Sequence, residues 1–67
     1  MKKHLLYGAV IGNKLFTIEE IAGTFEFRKT YLEDNYNFIT IQRTSDTVKA
    51  LSWTKDILKL KAYQNKN

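Results

Sequence analysis

The stretch TFEFRKTYL, residues 24–32, alternates between apolar and polar side chains over most of its length. Its three aromatic residues fall on one side of that alternation, whereas Glu26 and Arg28 fall on the other. Successive side chains of an extended chain point to opposite faces, so a period of two is the period of a strand. The stretch therefore predicts a β-strand.

A second run, YNFITIQR at residues 36–43, repeats the pattern. Ile39 and Ile41 form an apolar face that could continue to Arg43. The opposite face carries Phe38, Thr40 and Gln42. An acidic turn that contains an asparagine joins the two runs, and this arrangement predicts an antiparallel hairpin. An aromatic ring on the polar side of the second strand invites a binding partner or a second layer of core.

Upstream of the hairpin, residues 4–11 are apolar, rich in β-branched side chains towards their end, and followed by a turn-like Gly-Asn-Lys. They predict a first strand. Residues 15–21 fit two structures. They alternate like a strand, but Thr17 can also cap a helix that starts at Ile18 and stops at Gly23.

Residues 46–63 are ambiguous in the same way. They can form two strands separated by a turn, or a strand to Trp53 followed by a helix capped by Thr54. A continuous helix would align an apolar stripe and leave Leu51 and Leu58 away from its centre. That stripe consists of Ala50, Trp53, Ile57 and Leu60.

The composition favours strands. Threonine, isoleucine and valine contribute fifteen residues and aromatics nine more of the 67, and these types suit a pleated, half-buried surface. We therefore expect a mainly β fold, with a β-rich α+β arrangement as the variant. The expected architecture is a five- or six-stranded twisted antiparallel sheet or small barrel with at most one short helix, near residues 18–23 or 54–63. Residues 1–67 should form one domain, with 1–3 and 64–67 frayed.

Several classes of protein are excluded or disfavoured. The chain has no cysteine, which removes disulfide scaffolds, thiolate zinc sites and thiol enzymes. It has one histidine, His4, and its adjacent acidic pairs would point apart in a strand, so we expect neither an enzyme nor a metal or cofactor. No apolar stretch reaches the roughly 20 residues of a membrane span, and no secretion signal is recognisable. We therefore expect a cytoplasmic protein without a membrane partner.

The net charge of +4 is distributed in blocks that are basic, then acidic, then basic. Aromatic residues interleaved with lysines and arginines are the one pattern that has a binding mechanism. Aromatic rings stack on nucleobases, and the cationic side chains neutralise phosphates. The first functional hypothesis is therefore a small basic module that binds nucleic acid or a phosphate-bearing nucleotide. Its expected stacking residues are Tyr36 and Trp53. Its expected phosphate-binding residues are Arg28, Lys29, Arg43, Lys49, Lys55, Lys59 and Lys61.

Five aromatics cluster within residues 25–38, and a chain of 67 residues cannot expose all five, since it needs large side chains for its core. We expect at least three to be buried, namely Phe25, Phe27 and either Phe38 or Tyr31. The binding hypothesis therefore rests more on the net positive charge than on the aromatic residues.

The second hypothesis belongs to another class: an adaptor or inhibitor, of phage or mobile-element origin, that docks on a larger host protein. It is motivated by the acidic stretch at residues 19–34 and by Phe38 on the polar face. Self-association would also cover the bare edges of a small sheet, so a homo-oligomer is a further expectation.

Two segments carry a resemblance to a known family. LFTIEEIA at residues 15–22 looks like the opening helix of excisionase-type winged-helix proteins, and LSWTKDIL at 51–58 resembles their closing helix. The resemblance implies a DNA-binding protein with a recognition helix in the major groove and a wing, within residues 38–53, beside it. The alternation at residues 25–35 departs from that pattern, because the recognition helix should lie there.

Overall fold

The structure is a computed structural model that describes residues 3–64. Its elements are β1 (Lys3–Ile11), β2 (Lys14–Ile21), β3 (Thr24–Tyr31), β4 (Asn37–Thr44) and α1 (Thr47–Gln64). The strands form one antiparallel sheet in the order β1-β2-β3-β4, and α1 packs on one side of it. The mainly β class is confirmed, with four strands in place of the expected five or six.

The β2–β3 hairpin is closed by a two-residue turn. Ala22 and Gly23 both have positive φ, 52° and 81°, which is the signature of a type I′ turn. The turn pairs Ile21 with Thr24 and so sets the register of both strands. A longer loop joins β3 to β4, and in it Tyr36 also adopts a positive φ of 59°.

A β-bulge changes the expected faces of β4. Phe27 pairs with Gln42 but Arg28 pairs with Thr40, so Ile41 is an extra residue on β4. One extra residue reverses the alternation beyond it. The prediction that Arg43 shares a face with Ile39 and Ile41 is therefore wrong, and Arg43 lies with Thr40 on the opposite face.

The core lies between α1 and one face of the sheet. The ring of Trp53 stacks on that of Phe27 at a centroid distance of 5.6 Å, and Phe27 lies 6.2 Å from Phe16. The Trp53 indole N–H is not left unpaired, since it donates to the side-chain oxygen of Gln42 at 3.3 Å. The buried apolar residues of the core are Phe16, Ile18, Phe27, Ala50, Trp53 and Ile57.

Of the aromatics expected in the core, Phe27 is buried, whereas Phe25 and Tyr31 are only half-buried. Phe38, which was the alternative to Tyr31 as a core residue, is exposed, so the prediction that at least three of the clustered aromatics are buried is wrong. Phe16 and Trp53 fill the space instead, because both face the layer between α1 and the sheet.

The two ambiguous segments resolve differently. Residues 15–21 belong to β2, so the helix considered near 18–23 does not form. Residues 47–64 form one continuous helix, longer than the short helix expected. Asp46 starts it, because its carboxylate accepts a hydrogen bond from the Val48 backbone N–H at 3.0 Å.

The excisionase-type arrangement is also wrong. Its opening helix and its recognition helix would occupy segments that are β2 and β3 in the structure. Within residues 3–64, α1 is the one helix, and it is not apolar enough over a sufficient length to cross a membrane. The frayed ends expected at 1–3 and 64–67 lie outside the described residues, except that Lys3 belongs to β1 and Gln64 to α1.

Candidate ligand-binding face of the sheet

The side of the sheet opposite α1, called the open face below, carries a cluster of charged side chains. Glu19 on β2 pairs directly with Glu26 on β3, so two carboxylates stand side by side. Both are nevertheless buried, with exposed fractions of 8% and 7%. Like charges directly opposite each other destabilise a sheet, and burial adds to that cost. Cations must therefore compensate them.

Two arginines bind Glu26. The Nε of Arg28 donates to Glu26 Oε1 at 2.9 Å, and its Nη2 lies 2.8 Å from the same oxygen. Arg43 donates from Nε to Glu26 Oε2 at 3.0 Å, with its Nη2 also at 3.0 Å. Both carboxylate oxygens thus face a guanidinium group, an arrangement that gives strong charge-assisted hydrogen bonds.

Glu19 is held less tightly. Thr17 donates its hydroxyl to Glu19 Oε2 at 3.1 Å. The other oxygen, Oε1, lies 3.2 Å from Lys3 Nζ and 3.5 Å from Arg28 Nη1, but no donor within residues 3–64 reaches it with hydrogen-bond geometry. Charge rather than a directed hydrogen bond therefore compensates Oε1, and Arg28 links the two glutamates.

The electrostatics keep Glu26 ionised. Burial acts to raise the pKa of its carboxyl group, but the hydrogen bonds and positive charges of Arg28 and Arg43 outweigh burial, and the pKa lies below its ordinary value. Within residues 3–64 there is no group of three or more side chains that could hold a metal ion. The cluster is therefore a set of neutralised carboxylates, and cations and rings form its outer surface.

Two groups of that surface can reach a ligand, and a further exposed ring lies in the adjoining loop. The Phe38 ring is 51% exposed and lies over the guanidinium group of Arg28, 4.3 Å from its carbon to the ring centroid. Arg43 lies further along β4 on the same face, and 63% of its side chain is exposed. Tyr36 is exposed in the loop that precedes β4. The cation–π contact orients the Phe38 ring, and about half of the residue stays exposed.

The residues predicted to bind phosphate are not brought together. Arg28 and Arg43 share the open face, but Lys29 lies on the opposite side, paired with Phe16 and with its ammonium group 5.3 Å from the Tyr31 ring. The remaining four are all exposed on α1, on the far side of the sheet from Arg43: Lys49, Lys55, Lys59 and Lys61.

Trp53, one of the two predicted stacking residues, lies in the core against Phe27, so it is not accessible to a base. This prediction fails because a large ring on the inner side of α1 is needed to fill the layer above the sheet. Phe38 is the residue that sequence reasoning omitted from the site. The sequence does indicate this residue, because Phe38 is the aromatic on the side of the predicted strand that otherwise carries polar residues.

The acidic stretch at residues 19–34 is not one acidic surface. Glu19 and Glu26 are buried and paired with cations on the open face, while Glu33 and Asp34 are exposed at the β3–β4 loop. The stretch therefore gives little support to a basic docking partner.

Comparisons of the chain with protein-family models, with curated protein sequences and with solved structures found no match.

Proposed function

We propose that the protein is a non-enzymatic, cytoplasmic module that binds single-stranded nucleic acid, or a nucleotide of the same chemistry, across the open face. One observation carries the proposal: a half-exposed Phe38 ring is oriented by Arg28 on the same sheet face as the exposed guanidinium group of Arg43. Aromatic rings next to cations on an uncovered sheet bind unpaired bases and their phosphates.

Each group has a separate role in this proposal. Phe38 stacks on a base, an interaction worth about 1–3 kcal/mol per base. Arg43 contacts a phosphate with the donors that Glu26 does not use, since arginine has five N–H donors. Arg28 is a positioning residue, because its guanidinium group is largely covered and holds both Glu26 and the Phe38 ring. Tyr36 provides a second ring in the loop that precedes β4.

The net charge of the open face also favours a ligand that carries phosphate. Lys3, Arg28 and Arg43 outnumber the two carboxylates, so the face presents a net positive charge. The most exposed of these groups are Arg43 and Lys3, which lie at the solvent side of the cluster. The carboxylates lie beneath them and are shielded from a phosphate.

Fluorescence anisotropy with labelled single-stranded and duplex oligonucleotides tests the proposal. We expect tighter binding to the single strand and a steep loss of affinity with salt, because each neutralised phosphate of a single strand contributes a slope of about 0.7 in log K against log[salt]. Arg43→Gln should reduce that slope by about 0.7. Phe38→Ala should weaken binding at all salt concentrations and leave the slope unchanged.

Lys59→Gln is the matched control, since it removes one charge from α1 on the other side of the sheet. It should leave the affinity within about twofold, a difference below 0.5 kcal/mol. The proposal fails if the two variants of the open face bind like the wild type, or if Lys59→Gln alone abolishes binding. Circular dichroism of each variant confirms that the fold is intact.

A further inference from the structure

The outer side of α1 exposes several large apolar side chains although nothing in residues 3–64 covers them. Val48, Leu51 and Leu58 are 75%, 63% and 50% exposed. At 3.6 residues per turn these side chains point away from Trp53 and Ile57, which face the sheet. Polar or charged side chains are the usual occupants of the outer side of a helix on a sheet. These exposed apolar side chains therefore need an explanation.

The spacing of the apolar residues is that of a helix-packing seam. Val48, Leu51, Lys55, Leu58 and Ala62 are separated by three, four, three and four residues, the a/d spacing of a heptad repeat. We call these five residues the outer seam. It extends over nearly the whole length of α1, so its shape fits another helix lying alongside.

The positive charge of α1 favours an acidic partner over a second copy of the chain. Lys55 occupies the centre of the outer seam, and α1 carries four lysines against one acid, Asp56. A parallel, in-register pair of α1 helices would place Lys55 against Lys55, and an antiparallel pair centred on the seam would do the same. Like charges at such a position oppose self-association. A glutamate on the facing helix would instead pair with Lys55.

A groove next to the seam can hold an anchoring side chain. It lies between the first half of α1 and β1 and is lined mainly by apolar groups, including Leu6, Tyr7, Phe25 and Leu51. Leu51 belongs to both the groove and the outer seam, so the two surfaces are continuous. An apolar residue at the edge of the facing helix can enter this groove.

We propose that the outer seam is the docking surface for an acidic amphipathic helix of another protein. Leucine-like side chains of that helix pack between Val48, Leu51 and Leu58, and its carboxylates pair with Lys55 and the neighbouring Lys59. This surface lies on the opposite side of the sheet from the open face. The protein can therefore hold a protein helix and a nucleic acid at the same time.

The test uses two labelled helical peptides of about 21 residues, or three heptads, with leucine at every d position and at every a position except one central one. The acidic peptide has glutamate at e, g and one central a position, and its twin has lysine at the same places. We expect saturable binding of the acidic peptide to the full-length protein. The twin should bind at least about tenfold more weakly, equivalent to 1.4 kcal/mol.

Three variants locate the site, and a fourth is the control. Leu51→Ser and Leu58→Ser should each weaken the acidic peptide at least about fivefold, as expected for truncated apolar contacts at an interface. Leu5→Ser is the control, because Leu5 is an equally exposed leucine on β1, on the other side of the sheet. Lys55→Glu should exchange the preference, so that the basic twin binds better than the acidic peptide.

The inference is overturned if the acidic peptide does not bind, if both peptides bind equally, or if Leu5→Ser has the same effect as Leu51→Ser. Sedimentation equilibrium distinguishes an acidic helix from a second copy of the chain as the occupant of the outer seam. A wild-type dimer that Leu51→Ser converts to a monomer would assign the outer seam to a second copy of the chain and reject the acidic helix.

Discussion

Replacement of Arg28 by methionine should destabilise the fold, because the paired glutamates then lose a buried counter-charge. Arg28 touches both carboxylates, at 2.8 Å for Glu26 and 3.5 Å for Glu19, and only 15% of its side chain is exposed. Methionine keeps much of the apolar stem but removes the charge. Glu19 and Glu26 then face each other directly, and among residues 3–64 the cations left to compensate them are Lys3 and Arg43 at the surface.

The magnitude follows from where the cluster lies. Breaking one partner out of a buried ion pair costs about 3–5 kcal/mol, whereas an exposed pair contributes about 0–1 kcal/mol. The carboxylates here are covered only by neighbouring side chains and retain two other cations. We therefore expect Arg28→Met to reduce the free energy of unfolding by about 2–3 kcal/mol, out of the roughly 3–10 kcal/mol typical of a chain of this length.

The assay is urea unfolding followed by the fluorescence of Trp53, the single tryptophan, which is buried in the core. Arg43→Met is the matched control. Arg43 also binds Glu26, but 63% of its side chain is exposed, so its loss should cost at most about 1 kcal/mol. Adding Glu26→Gln to Arg28→Met should recover part of the loss, because it removes one of the two facing charges.

The pH dependence has a defined sign. The pKa of Glu26 is lowered in the folded protein, so its ionisation stabilises the fold above the unfolded-state pKa, and this stabilisation is lost as the pH falls through the folded-state pKa. In the Arg28→Met variant, burial is opposed less strongly and Glu26 takes up its proton at a higher pH. The stability difference between the two proteins should therefore shrink between pH 7 and about pH 4.

The reasoning is refuted if Arg28→Met costs less than about 0.5 kcal/mol at pH 7, the range of ordinary surface substitutions. It is also refuted if the difference from wild type stays constant as the pH falls, or if Arg43→Met costs as much as Arg28→Met. Any of these results would show that the glutamates need no buried counter-charge.

Three further predictions concern stability and are checked by the same urea titrations. Ile57→Ala should cost about 3 kcal/mol because Ile57 is fully buried, whereas Leu58→Ala on the outer side of α1 should change stability by less than about 0.5 kcal/mol. Gly23→Ala should cost about 1–2 kcal/mol because its φ is +81°, whereas Gly8→Ala should be tolerated, since its added Cβ meets only ordinary contacts at 3.6–3.8 Å. Asp46→Ala should cost about 1 kcal/mol through loss of the helix cap, and its circular dichroism should show a lower melting temperature. Equal costs within the Ile57 and Leu58 pair or the glycine pair, or no loss at Asp46, would contradict these assignments.

The hairpin of β3 and β4 is predictable from the local pattern of residues. Each of the four strand ends lies within one residue of its predicted position. Alternation and turn chemistry are properties of neighbouring residues, so they are visible in one chain. The bulge at Ile41 is not visible in that way, because it is defined only by the strand opposite. It decides that Arg43 joins Arg28 at Glu26, and so it decides the composition of the candidate site.

The sequence by itself determined the mainly β class, the positions of β1, β3 and β4, and the excess of positive charge. It left residues 46–63 open, since Ala50, Trp53 and Ile57 fit a helix while the same segment also alternates. Only the tertiary structure resolved this, because a helix there buries those three side chains against one face of the sheet. The same packing removed Trp53 from the site, left the opposite face to the arginines and Phe38, and turned Leu51 and Leu58 to solvent. Local patterns fix which side chains share a face, but burial against distant residues decides which faces remain free to bind.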